Sequence, residues 1–247
     1  MNRYSFVKPV LLASLFVKEQ LKEPVALFWS VLSPVVTYYL ITYSRGANNY
    51  APNDYLSSAS WFYSFVASSV ALFGLAFYIV GRRESGFLRS FVYTDDNKVI
   101  FLFGHYLAYS IISLVYCCVF YLLTRSYNGA VEVEELLGIL GRFYICFLLF
   151  SIPALLLTLV PLGFQNSITV FSIASLTMLA LGIVSIGTSS PVLERVSFIN
   201  PMWWANHIML VGVAECWFIA LLIGVSFFVT LWIVFRFLTI NPVWSRY

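Results

Sequence analysis

Residues 81–91, "GRRESGFLRSF", place Arg82, Arg83, Glu84 and Arg89 beside Phe87, Leu88 and Phe91, in a chain where only 10% of residues are charged. Guanidiniums and a carboxylate at this spacing suit ion pairing and the orientation of a partner. As a helix, Phe87, Leu88, Phe91 and Val92 would form one patch at i, i+1, i+4 and i+5, with the arginines and serines mostly elsewhere. A segment that only had to stay on one side of a membrane would need basic residues and no apolar patch. The stretch therefore predicts an exposed protein–protein contact, and Glu84→Ala is expected to leave the fold intact.

Other residues offer little chemistry. His105 and His207 stand apart from any nucleophile and read as structural. The four cysteines, Cys117, Cys118, Cys146 and Cys216, lie in or beside apolar runs without metal-ligand spacing, so they act as small hydrophobes and no metal is expected. Glu134–Glu135 resembles the start of a membrane prenyl-protease motif, but position 139, where such a motif needs arginine, is isoleucine. Two Asn-Pro pairs, at Asn200 and Asn241, lack the alanine that water channels place third. No Gly-Lys pair exists to open a phosphate-binding loop, so the chain is not expected to hydrolyse ATP by that route.

The elements that position these residues are membrane helices. Of 247 residues 61% are hydrophobic, and mean hydropathy is +0.88. Soluble domains carry about 45–50% apolar residues, so this chain is expected in lipid. The net charge of +3 gives no reason to expect nucleic acid as a partner. Six continuously apolar stretches approach the ~20 residues that a spanning helix needs: roughly 24–43, 59–80, 99–123, 136–160, 168–187 and 213–238. The predicted fold is an all-α integral membrane protein. It forms one domain over residues 1–247, with an N-terminal interfacial helix within 1–23, six spans over 24–238 and a tail at 239–247. Putting both termini on one side groups ten of the fourteen basic residues there, including Lys8, Lys18, Arg82, Arg83 and Arg89. That side is then the cytoplasm.

Three segments are not simple spans. In "FVKPVLLASLFVKEQLKE" residues Val7, Val10, Leu11, Val17 and Leu21 share a broad face, opposite Glu19, Gln20 and Glu23, as in a helix lying in the interface. The second is residues 81–91, after which Asp95 and Asp96 sit where a cap for span three belongs. The third, "SSPVLERVSFINPMWWANHIMLVG", is too short to cross twice. It is broken by Pro191 and Pro201, and two short interfacial or re-entrant helices fit it best. Span five is rich in hydroxyls, with Ser172, Ser175 and Thr177, and such residues let helices approach closely. Span one is aromatic, with Trp29, Tyr38 and Tyr39. These six residues are the candidates for a substrate path or a dimer interface.

Together these marks resemble the membrane subunits of ABC-2 type exporters, the type V or G-type ABC permeases. The likeness rests on the cytoplasmic helix leading into "EPVALFWSVLSPVVTYYL", on Arg83-Glu84-x-Gly86-x-Leu88 after span two, and on "INP" at 199–201 before span six. The resemblance implies a homodimer of six-helix subunits in a bacterial cell membrane, bound to separate ATPase chains that carry ATP and Mg; this chain would bind no cofactor. It also implies that Arg82, Arg83, Glu84, Gly86, Phe87, Leu88 and Arg89 couple to the ATPase. Compact loops favour a small amphipathic cargo, such as a peptide antibiotic or drug, with self-immunity as a role. The abundant aromatics keep a lipid-linked glycan as the alternative cargo. Outside the class stand a six-helix channel and an intramembrane enzyme.

Overall fold

The computed structural model describes residues 4–23, 27–44, 55–92, 94–187 and 198–241. Among them every regular element is helical. In chain order these are α1 (Tyr4–Leu21), α2 (Ser33–Ser44, entered through a π turn at Phe28–Leu32), α3 (Tyr55–Glu84), α4 (Phe87–Phe91), α5 (Asp95–Asn128), α6 (Val133–Leu157), α7 (Phe164–Gly187), α8 (Pro201–Val211) and α9 (Trp217–Phe237). A second π turn, Val70–Ala76, interrupts α3.

Five helices are long and apolar enough to cross a membrane: α3, α5, α6, most of α7, and α9. The protein is a multi-pass membrane protein. Apolar side chains on the outside of α9, such as Phe228 and Trp232, face outward, where lipid rather than water makes them inexpensive. The described part of span one is shorter and carries Trp29, Tyr38, Tyr39 and Tyr43 among serines and threonines, which lowers its hydropathy.

Helix α3 is the centre of the bundle. It touches α5, α6, α7 and α8, and its spanning window is the most enclosed of the five, at 72% buried. At one end Tyr55, Tyr63 and Thr124 share hydrogen bonds of 2.8 and 2.7 Å, and Arg125 pairs with Glu135 at 2.8 Å. Tyr38 is buried there among the rings of Tyr55, Phe62 and Phe120, donating to or accepting from Ser58.

Helix α1 lies along α5. Its buried stripe is Pro9, Ala13, Phe16 and Gln20, and Gly104 on α5 admits it closely: a β-carbon there would sit 3.1 Å from the Pro9 carbonyl. The apolar residues Val7, Val10, Leu11 and Leu21 do share the outward face. Gln20, expected on the polar side, is instead buried and accepts from the Tyr109 hydroxyl. Span three is capped by Thr94, whose side chain accepts from the Asn97 amide, while Asp95 and Asp96 occupy the first turn. Helix α8 is set among α3, α6 and α7 rather than on the surface, with Met202, Ala205, Ile208 and Met209 buried. Asn200 caps its start and ties it to the Met178 carbonyl. Arg142 donates to the Met209 carbonyl at 2.8 Å and closes the other end. The residues before it, 188–197, lie outside the described set, as does the proposed companion helix.

Candidate functional site

The turn at residues 81–91 is locked to its own chain. Arg83 is fully buried. Its Nε donates to Glu84 at 2.9 Å, Nη1 to the Thr158 carbonyl at 2.8 Å and Nη2 to the Leu162 carbonyl at 2.7 Å. The Thr158 carbonyl belongs to the C-cap of α6, where the last helical oxygens lack intrahelical partners and the helix dipole favours a cation; the Leu162 carbonyl belongs to the loop that follows. One guanidinium fork thus pins α3 to the end of α6 and to the uncharged loop before α7. Glu84 balances that buried charge, its side chain only 8% exposed.

Arg82 points the other way. It pairs with Glu19 of α1, and its guanidinium lies 5.0 Å from the Phe87 ring centre and 5.7 Å from that of Phe16. Gly86 turns the chain at φ 78°, a left-handed conformation that favours glycine. The apolar patch that the sequence suggested as an outward surface is folded inward. Leu88 is buried, and Phe87 stacks on Phe91 and meets Phe101 of α5. Hydrophobic contact with α5 competes with exposure, and five residues of helix are enough to turn the patch under. Ser85, Arg89 and Ser90 are what the turn shows to solvent.

Immediately beside this turn a cavity of ≈ 1040 Å³ opens. One wall is the end of α1, through Glu19, Gln20 and Glu23, continued by Trp29, Ser30 and Ser33 of the first π turn and α2. The floor is α3, where Ser69, Phe73, Phe77 and Gly81 recur every four residues through the second π turn. The far wall is α7, with Phe164, Ile168, Ser172 and Ser175 on one face. Both π turns therefore border the same space, and interrupted helices of this kind are frequent at functional sites. The site is an amphipathic groove: aromatic walls, scattered hydroxyls and, among the described residues, charge only at the Glu19–Glu23–Arg82 rim.

The six path candidates divide. Trp29, Ser172 and Ser175 line the groove. Tyr38 is in the aromatic cluster, Tyr39 donates to the Leu123 carbonyl beside Tyr127, and Thr177 is exposed on another face of α7. Tyr78, Tyr109 and Phe73 were not singled out by sequence, because aromatic residues inside apolar runs carry no signal of which void they face. His105 is enclosed by Phe16, Phe101 and Tyr109 and serves packing. Among the described residues no cluster of His, Cys, Asp or Glu could hold a metal ion.

The chain is similar to Protein McbE of Escherichia coli. The two are 28% identical over 194 residues, which cover 77% of this chain and 80% of that protein. A likeness of this extent to Protein McbE takes in most of the chain rather than one turn or one helix pair. No family model matches the chain.

Proposed function

We propose that this chain is the membrane-spanning subunit of an ATP-driven exporter that moves a small amphipathic cargo out of a bacterial cytoplasm, as part of self-protection or drug efflux. It works as a six-span homodimer with both termini cytoplasmic, span one being the sixth crossing. ATP and Mg bind to a separate ATPase chain, and this subunit has no nucleotide site of its own. The likeness to Protein McbE over most of the chain supports the assignment to a membrane system of related build. The observation that carries the reading is mechanical. The turn at 81–91 is fixed by Arg83 to the α6–α7 connection and by Arg82 to α1. Helices α1, α3 and α7 border the groove. A push on the turn reaches the groove's walls together, which is what coupling to an ATPase requires. Arg89 supplies the outward charge that orients docking; charges at a rim set register and association rate.

The test is to purify the chain from its native membrane and to probe the preparation for a bound ABC ATPase. The ATPase should co-purify, and Arg89→Glu should reduce its retention several-fold without changing thermal stability. Retention of the ATPase at the wild-type level by Arg89→Glu would remove Arg89 from the contact, and absence of any bound ATPase would refute the exporter reading. Orientation has its own check. A single cysteine at 85 should label only from the cytoplasm and one at 49 only from outside; labelling of both from one side would overturn the crossing between them.

A further inference from the structure

The rim of the groove is unequally charged. Its ionisable lining on the α1 side is Glu19, Glu23 and Arg82, two carboxylates against one guanidinium. Arg82 is committed to Glu19 and lies against Phe16 and Phe87. Glu23 accepts a hydrogen bond from the Tyr78 hydroxyl, and among the described residues no lysine or arginine pairs with it. Tyr78 and Glu23 both line the groove, so the carboxylate that this hydroxyl holds is part of its wall. Behind that carboxylate the walls are rings: Trp29, Phe73, Phe77, Tyr109 and Phe164. Aromatic faces attract cations as well as apolar bodies. The volume is at the upper end of small-molecule sites, which run to about 1,000 Å³.

We propose that this groove is a binding site for a cationic amphiphile, whose charge sits against Glu23 and whose apolar body lies along the aromatic walls between α2 and α7. A neutral compound would leave Glu23 without a counter-charge, and an anion would meet its repulsion, so the rim selects by sign while the walls select by size. The proposal deepens the exporter reading by assigning the class of cargo, and it rests on that reading only for the direction of transport. Binding itself needs no ATPase.

The experiment uses the full chain in phosphatidylcholine nanodiscs and radiolabelled tetraphenylphosphonium, with empty nanodiscs as the blank. Saturable binding is expected, with uncharged triphenylphosphine oxide competing at least tenfold more weakly. Glu23→Gln should weaken tetraphenylphosphonium binding at least fivefold, and Glu23→Asp should keep most of it. Ser172→Trp, which fills the groove from α7 without touching the rim, should abolish binding while the chain stays monodisperse. Equal competition by the neutral compound, unchanged affinity in Glu23→Gln, or no saturable binding to monodisperse wild-type chain would each overturn the proposal. If binding follows Glu23 but no ATPase co-purifies, the cation site stands and the exporter reading falls. If the ATPase co-purifies and the cation does not bind, the reverse holds.

Discussion

Arg83→Ala should be among the most damaging single substitutions in this protein. The side chain has no exposed surface and serves four partners at once: Glu84 and the carbonyls of Thr158, Val160 and Leu162, the Val160 contact being the longest at 3.5 Å. Its removal takes a donor from the Thr158 carbonyl at the end of α6 and from the Val160 and Leu162 carbonyls of the loop before α7, and leaves Glu84 almost buried without this cation. Breaking a buried ion pair from one side costs about 3–5 kcal/mol. For a chain of this size that corresponds to a fall in melting temperature on the order of 10 °C. Arg83→Lys should recover only part of it, because an ammonium cannot fork to two carbonyls and a carboxylate in one plane. Thermal unfolding in detergent, followed by tryptophan fluorescence, measures this. A melting point for Arg83→Ala within a degree or two of wild type would show that the carbonyls are satisfied some other way.

The same geometry changes the expectation for Glu84. Read from sequence, Glu84 sits in a charged turn where no spanning helix depends on it, so Glu84→Ala should leave the fold intact. In the structure its carboxylate lies 2.9 Å from the Arg83 Nε, and its loss leaves a buried guanidinium with carbonyl dipoles alone. Glu84→Ala is therefore expected to lower the melting point in the same direction as Arg83→Ala. Glu84→Gln should do less harm, since an amide oxygen can still accept from Nε. An export defect in Glu84→Ala reports on coupling only after that loss of stability has been allowed for.

The spans were legible because a continuous run of about twenty apolar residues has few other uses, and five helices overlap the expected stretches, four of them running past at least one end. Helix α1 was legible from its 3.6-residue pattern, yet the pattern could not say what its second face would meet. Gln20 looks like a solvent residue beside Glu19, and only the Tyr109 hydroxyl on α5 explains its burial. Arg83 and Arg142 illustrate the same limit. Both look like basic residues at span ends, which sequence assigns to topology. Each in fact closes the C-terminal end of a helix distant in the chain, through carbonyls that no sequence pattern marks. The groove was half visible: Ser172 and Ser175 stood out as hydroxyls on an apolar helix. The π turns that border it, Phe28–Leu32 and Val70–Ala76, carry no residue pattern by which the sequence marked them.

Gly74→Ala is expected to disturb the groove from its floor. Gly74 lies in the π turn of α3, and a β-carbon there would stand 2.6 Å from Cε1 and 2.7 Å from Cδ1 of Tyr109. No side chain tolerates that approach, so the turn or the ring must move. The ring has little freedom. Tyr109 is buried, donates to Gln20 at 2.9 Å and rests against His105 and Tyr78. The cost of such overpacking is about 1–3 kcal/mol, and the displaced ring would disturb Gln20 of α1, which accepts its hydrogen bond and also lines the cavity. Reduced thermal stability should therefore come with weakened ligand binding in the groove, although Gly74 presents no polar group to a ligand. A double-mutant cycle separates this clash from a loss of backbone freedom. Tyr109→Leu makes room for the methyl group at its own cost, so Gly74→Ala should be less harmful in the Tyr109→Leu background than alone, with a coupling of roughly 0.5–3 kcal/mol for residues in contact. Strict additivity of the two changes would mean that the alanine acts by stiffening the π turn, and that Tyr109 does not fix the shape of the floor.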